Sequence, residues 1–84
     1  MVKVILAKQA SKSFEKIPSR WQARIINAIE SLKQDPFYGK KMWGPLEGKR
    51  NIRVWPYRII YGFKEQTKTI FVFRINHRGS IGYK

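Results

Sequence analysis

Residues 51–63 read Asn-Ile-Arg-Val-Trp-Pro-Tyr-Arg-Ile-Ile-Tyr-Gly-Phe. On an extended chain Ile52 and Val54 fall on one side and Arg53 and Trp55 on the other. Pro56 breaks this first strand, because proline has no N–H to give to a ladder. Tyr57 to Phe63 is a second strand, and two strands joined by so tight a turn pair antiparallel. Lys64 to Lys68 is a polar turn, and Thr69 to Ile75 is a third strand, apolar on both faces until Arg74. Such a strand is expected inside its sheet rather than at an edge. By simple alternation Arg74 shares a face with Ile70 and Val72, and Arg58 shares one with Ile60. The three runs predict an antiparallel meander that needs a covering layer.

The cover is legible upstream. Residues 2–7 (Val-Lys-Val-Ile-Leu-Ala) are β-branched and apolar, and short enough for a strand. From Lys8 the period changes: Ala10, Phe14 and Ile17 share one face of a helix that Pro18 ends. Ser19 reads as the N-cap of a second helix with the stripe Trp21, Ile25, Ala28, Ile29 and Leu32, stopped by Asp35-Pro36. Residues 37–49 hold three Gly and one Pro and read as a loop. The order is β-α-α-β-β-β. It predicts a two-layer α+β domain, an N-terminal strand and helical hairpin packed on a twisted antiparallel sheet, with residues 1–84 forming one domain.

Composition narrows the chemistry. The 84 residues carry 18 Lys plus Arg against 5 Asp plus Glu, a formal charge of +13. A compact chain this basic repels itself, and a polyanionic partner is the usual reason for keeping such charge. With no Cys, a disulfide scaffold and thiolate zinc sites are excluded. One His and five scattered carboxylates argue against a protein-built metal site, so neither metal nor small-molecule cofactor is expected. No apolar run approaches the roughly 18–20 residues that span a bilayer, so no membrane partner is expected. The apolar start ends after Ala7, and Lys8, Lys12 and Lys16 follow too closely for a secretory segment, so a cytoplasmic location is expected.

The charge is uneven. Residues 1–36 hold seven bases and three acids, or +4; residues 37–84 hold eleven and two, or +9. In the second half the bases lie on strands. With helices on one sheet face, the other is free, and Arg53 is expected to point to it. Guanidinium forks grip phosphate oxygens and aromatic rings stack on bases, so a phosphodiester backbone suits such a surface. Lys40, Lys41, Lys49, Arg50 and Arg74 read as general phosphate contacts. Trp21, Tyr57 and Tyr61 read as core, while Trp43 and Trp55 are left between covering the sheet and touching a ligand. A metal-free ribonuclease needs a base for the 2′-OH, cations for the pentacoordinate transition state and an acid for the 5′-oxygen. His77, Tyr83 or a base of altered pKa are the acid–base candidates, with His77-Arg78 in the tail.

Phe14-Glu-Lys-Ile-Pro18, Asp35-Pro36, Leu46-Glu-Gly48, Ile52-Arg-Val54, Tyr57-Arg-Ile-Ile-Tyr61 and His77-Arg78 with Tyr83, in this element order, resemble the RelE/ParE superfamily of bacterial and archaeal toxins over nearly the whole chain. The RelE branch consists of ribosome-dependent mRNA endonucleases held inactive by a cognate antitoxin. The resemblance therefore implies an antitoxin, the ribosome and mRNA as partners. It implies Arg53 as a cation of the site, Arg58 as the ligand of the transition-state phosphate, and Arg78 as phosphate ligand or general acid. Tyr83 is implied to stack on the substrate base, and His77 to serve as acid or base. Two positions depart from the pattern: Asn51 stands where the best-studied form has a second lysine, and Gly44 stands before Pro45-Leu46 where related enzymes place a glutamate base. The same fold carries the ParE branch, which poisons DNA gyrase by binding protein. That activity, and RNA binding without chemistry, are the alternatives.

Overall fold

The computed structural model describes residues 2–44 and 48–77. In chain order these form β1 (Lys3–Leu6), α1 (Lys8–Glu15), α2 (Ser19–Gln34), β2 (Lys40–Lys41), β3 (Arg50–Val54), β4 (Tyr57–Lys64) and β5 (Thr69–His77). One five-stranded sheet runs β1-β5-β4-β3-β2, with the two helices on one face. The expected α+β two-layer architecture is the observed one, and β5 is internal, between β1 and β4.

The sheet is mixed rather than antiparallel. β1 pairs with β5 in parallel, Val4 opposite Ile70 and Leu6 opposite Val72. A parallel pair needs a long crossover, and the helical hairpin supplies one. The loop expected over residues 37–49 is also partly strand: β2 pairs antiparallel with β3, Lys40 opposite Asn51 and Lys41 opposite Arg50. Its two lysines show no apolar alternation, so nothing in their composition announces a strand; the neighbouring backbone imposes it.

α1 places Ala10 inward, and the turn after it buries Ile17. Ser19 is not the N-cap of α2. Pro18 holds that position, and its carbonyl accepts from the amides of Trp21 and Gln22. Ser19 is the first helical residue, where a hydroxyl has no cap to make. Gln22 Nε2 instead donates to the Phe14 carbonyl at 2.9 Å, joining the start of α2 to the end of α1.

Ile25, Ile29 and Leu32 of α2 meet Ile52, Ile59, Tyr61, Ile70, Val72 and Ile75 of the sheet, with Trp21 and Tyr57 packed at the margin. Burying each Ile or Leu fully contributes about 1.5–3 kcal/mol. Tyr61 is fully buried, yet its hydroxyl is satisfied: it accepts from the Gly39 amide at 2.9 Å and donates to the Pro36 carbonyl at 2.8 Å. Burial pushes the phenol pKa above its usual value, against the Gly39 amide and Arg50, which lower it, while Asp35 adds to the rise. The segment between α2 and β2 is thereby tied to the centre of the sheet.

Candidate nucleic-acid interface

The sheet face away from the helices is open, and strand alternation populates it. Between Tyr57 and Ile59, both directed to the helices, Arg58 points to the open side; between Ile52 and Val54, so does Arg53. β3–β4 register sets these two arginines directly opposite each other. Among the described residues neither guanidinium has an ion pair or hydrogen bond; the one ion pair there is Lys33–Glu30 on α2, at 3.2 Å. Like charges facing across a ladder are unfavourable by up to about 1 kcal/mol, an arrangement a bound anion would reverse. Asn76 is the partner of Arg58 on the far side, in β5.

Arg74 does not share a face with Val72. Register jumps between Ile60 and Tyr61: Ile60 pairs with Arg74 and Tyr61 with Val72, leaving Phe73 as the extra residue of a bulge. A bulge inserts one residue and resets alternation. Val72 and Ile75 are buried while Arg74 is exposed, so the bulge delivers the Arg74 cation to the side of Arg53 and Arg58. Phe73 is already there by alternation from Phe71 across buried Val72. Its ring packs against Phe71 at 4.8 Å and carries the Lys49 ammonium 4.6 Å above it. Gly62 makes the space, since a Cβ on it would sit 3.2 Å from the Phe73 ring. Ile5, Phe71 and Phe73, with Lys3, Lys49 and Lys64, line an open depression of about 720 Å³. This apolar strip lies outside the phosphate contacts expected from residue type; its signal in the sequence is the two-faced apolarity of residues 69–73.

The remaining expected contacts divide. Lys40 and Lys41 stand exposed on edge strand β2. Arg50 is committed to the fold: its Nη1 donates to the carbonyls of Phe37 at 3.0 Å and Gly39 at 2.8 Å, and its guanidinium lies 5.1 Å from the Phe37 ring centroid. His77 lies opposite Tyr57 in register, with the rings edge to face at 5.2 Å, and borders a small cleft with Ser13, Lys16 and Ile17 of the helix layer. The structure thus gathers Arg53, Arg58 and Arg74 on one face and puts His77 on the other. Arg78, Tyr83 and Glu47 lie outside the described residues. Trp43 and Trp55 are exposed, and Trp21 is flanked by Arg20 and Arg24 at 5.3 and 5.2 Å from its ring. No group of three or more metal-ligating side chains occurs among the described residues, and no helix there is long and apolar enough to cross a membrane.

Comparison with known proteins identifies the family. The family model of the ParE toxins of type II toxin–antitoxin systems matches residues 4–82. Toxin RelG of Mycobacterium tuberculosis is 28% identical over 74 residues, covering 86% of this chain and 85% of RelG. The RelBE2 toxin–antitoxin complex of the same organism contains a chain that superposes with a TM-score of 0.83 at 26% identity, over 92% of this chain and 98% of that one. The isolated RelE toxin of E. coli shares the fold at a TM-score of 0.79 and 16% identity, over 92% and 84%. The chain belongs to the RelE/ParE superfamily and is a toxin of the type II toxin–antitoxin class.

Proposed function

We propose that this toxin is a metal-independent, ribosome-dependent endoribonuclease that cleaves mRNA by attack of a 2′-hydroxyl on the adjacent phosphodiester. One observation carries the reading: two arginines with no carboxylate partner among the described residues, Arg53 and Arg58, oppose each other on an open sheet face. In such a reaction the 2′-oxygen forms a bond to phosphorus and the 5′-oxygen leaves. The products are a 2′,3′-cyclic phosphate and a 5′-hydroxyl. One proton leaves the 2′-OH and one reaches the 5′-oxygen. Charge builds on the non-bridging oxygens in between, where fixed guanidinium donors stabilise it most. Arg58 and Arg53 take that role. Arg78 and Tyr83 are assigned from the resemblance to complete the site, as leaving-group acid or phosphate ligand and as base-stacking residue. Lys40, Lys41, Lys49 and Arg74 supply affinity for the ribosomal and messenger backbone. The cytoplasm, where ribosomes are, is the corresponding location.

A cognate antitoxin is the second partner. The solved RelBE2 complex pairs a similar toxin chain with its antitoxin. An acidic antitoxin segment with apolar residues suits a face that combines cations lacking a carboxylate partner among the described residues with the strip Ile5, Phe71 and Phe73. The family match to ParE toxins supports one other reading, inhibition of DNA gyrase by protein contact. The deciding experiment incubates the toxin with programmed ribosomes in EDTA and maps mRNA 5′ ends. Cleavage that Arg53→Ala with Arg58→Ala abolishes supports the ribonuclease. Intact mRNA together with lost supercoiling in a gyrase assay selects the alternative.

A further inference from the structure

Where β2 ends, the edge of the sheet is notched. β2 covers β3 only at Arg50 and Asn51, and beyond Lys40 the chain turns under the sheet at Gly39. The notch, about 440 Å³, is lined by Tyr38, Gly39, Lys40, Asn51, Ile52 and Arg53. That volume is in the range of small-ligand sites. Tyr38 is 74% exposed, and its hydroxyl has no hydrogen bond among the described residues.

The backbone on either side of this exposed ring is held firmly. The Tyr38 amide donates to the Asp35 carbonyl at 3.1 Å, and the Phe37 amide to Asp35 Oδ1 at 3.3 Å. The Gly39 amide donates to the buried Tyr61 hydroxyl, and the carbonyls of Phe37 and Gly39 both accept from Arg50. Phe37 packs edge to face on Phe63 at 5.4 Å. Five hydrogen bonds and an aromatic contact thus fix residues 37–39, while the Tyr38 ring itself contributes little burial. With its backbone fixed, a tyrosine has only two side-chain torsions left to order on binding. Lys40 and Arg53 put cations beside it, and Arg53 is the cross-strand partner of Arg58.

We infer that Tyr38 is a stacking platform for an unpaired base of the RNA strand, next to the phosphate held by Arg53. The inference rests on the ribonuclease reading and adds to it a residue that selects for single-stranded RNA at the sheet edge. Base–aromatic stacking is sequence-tolerant, so Tyr38 confers a preference for unstacked RNA rather than for a codon.

The test measures binding of the full-length toxin to a fluorescein-labelled 12-nucleotide single-stranded RNA by anisotropy, over a series of salt concentrations. Tyr38→Ala is expected to weaken binding by roughly ten-fold, with Tyr38→Phe and Tyr38→Trp near wild type. The salt slope of Tyr38→Ala stays that of wild type, because no phosphate contact is lost, whereas Arg53→Ala shallows it by about one unit. Thermal melts check that each variant is folded. Binding of Tyr38→Ala at wild-type strength overturns the platform while leaving the ribonuclease reading standing. So does loss of antitoxin affinity with RNA affinity unchanged, which reassigns Tyr38 to the protein partner. Failure of the wild-type toxin to bind the RNA at all also overturns the platform, while the ribonuclease reading, which needs the ribosome, stands or falls on the cleavage of ribosome-bound mRNA.

Discussion

Arg53 and Arg58 illustrate how two ordinary strand residues come to face each other on an open sheet face. Each is placed by alternation alone, and their meeting is a matter of register. Alanine at either position is expected to lower cleavage of ribosome-bound mRNA by about 10²–10³-fold, the usual cost of removing one transition-state donor. Melting temperature should hold or rise slightly, since one member of a like-charged cross-strand pair is gone. Arg58→Lys is not expected to restore the rate, because an ammonium lacks the planar fork. His77, across the sheet beside Tyr57, is expected to affect cleavage less than either arginine when replaced by alanine, in the same assay. Tyr61 supplies the residue-scale test of stability. Tyr61→Phe strips the Gly39 amide and Pro36 carbonyl of their partner and should cost about 1–3 kcal/mol in denaturant unfolding. Its pKa is raised in the fold, so the stability it contributes is complete below the usual tyrosine value near 10 and is lost as pH climbs through the higher folded value. Tyr61→Phe should therefore lose less stability than wild type above that pH, measured as unfolding free energy against pH.

At the scale of elements, the two features that shape the interface are a bulge and a two-residue strand. The β5 bulge turns Arg74 to the open face beside Phe73 and, past it, returns Ile75 to the core. β2 exists because Gly39 can lie against the Tyr61 hydroxyl: a Cβ at residue 39 would come within 2.7 Å of that oxygen and 2.9 Å of the Asn51 carbonyl. Gly39→Ala is therefore expected to destabilise by about 1–3 kcal/mol and to detach β2 from β3. Hydrogen exchange reads this directly, as faster exchange of the Met42 amide, which bonds the Lys49 carbonyl at 3.0 Å. By displacing the Tyr38 platform, Gly39→Ala is also expected to weaken RNA binding without touching a base or phosphate.

Over the whole molecule, +13 on 84 residues acts as a field as well as a set of contacts. Each lysine that neutralises a phosphate releases a counterion, so log affinity falls linearly with log salt. Lys40→Gln, Lys41→Gln and Lys49→Gln are each expected to shallow that slope by about one unit in ribosome-binding titrations. Lys33→Gln serves as the control, since Lys33 sits on α2 paired with Glu30. A control variant that shallowed the slope equally would mean that charge acts through the field alone.

Both helices and every strand but β2 were legible in the sequence from local pattern: stripes of period 3.6 at Ala10–Ile17 and Trp21–Leu32, alternation at Ile52–Val54, and a short run apolar on both faces from Thr69. The excess of bases after residue 36 was legible for the same reason, being a local property. What required tertiary structure was everything set by another segment. The parallel partner of β1, the strand character of Lys40-Lys41, the capping by Pro18 and the bulge at Phe73 each depend on backbone groups far along the chain or on register. So does the site: alternation predicts which side of its own strand Arg53 occupies. Only pairing decides that it meets Arg58, that Arg74 joins them, and that His77 does not.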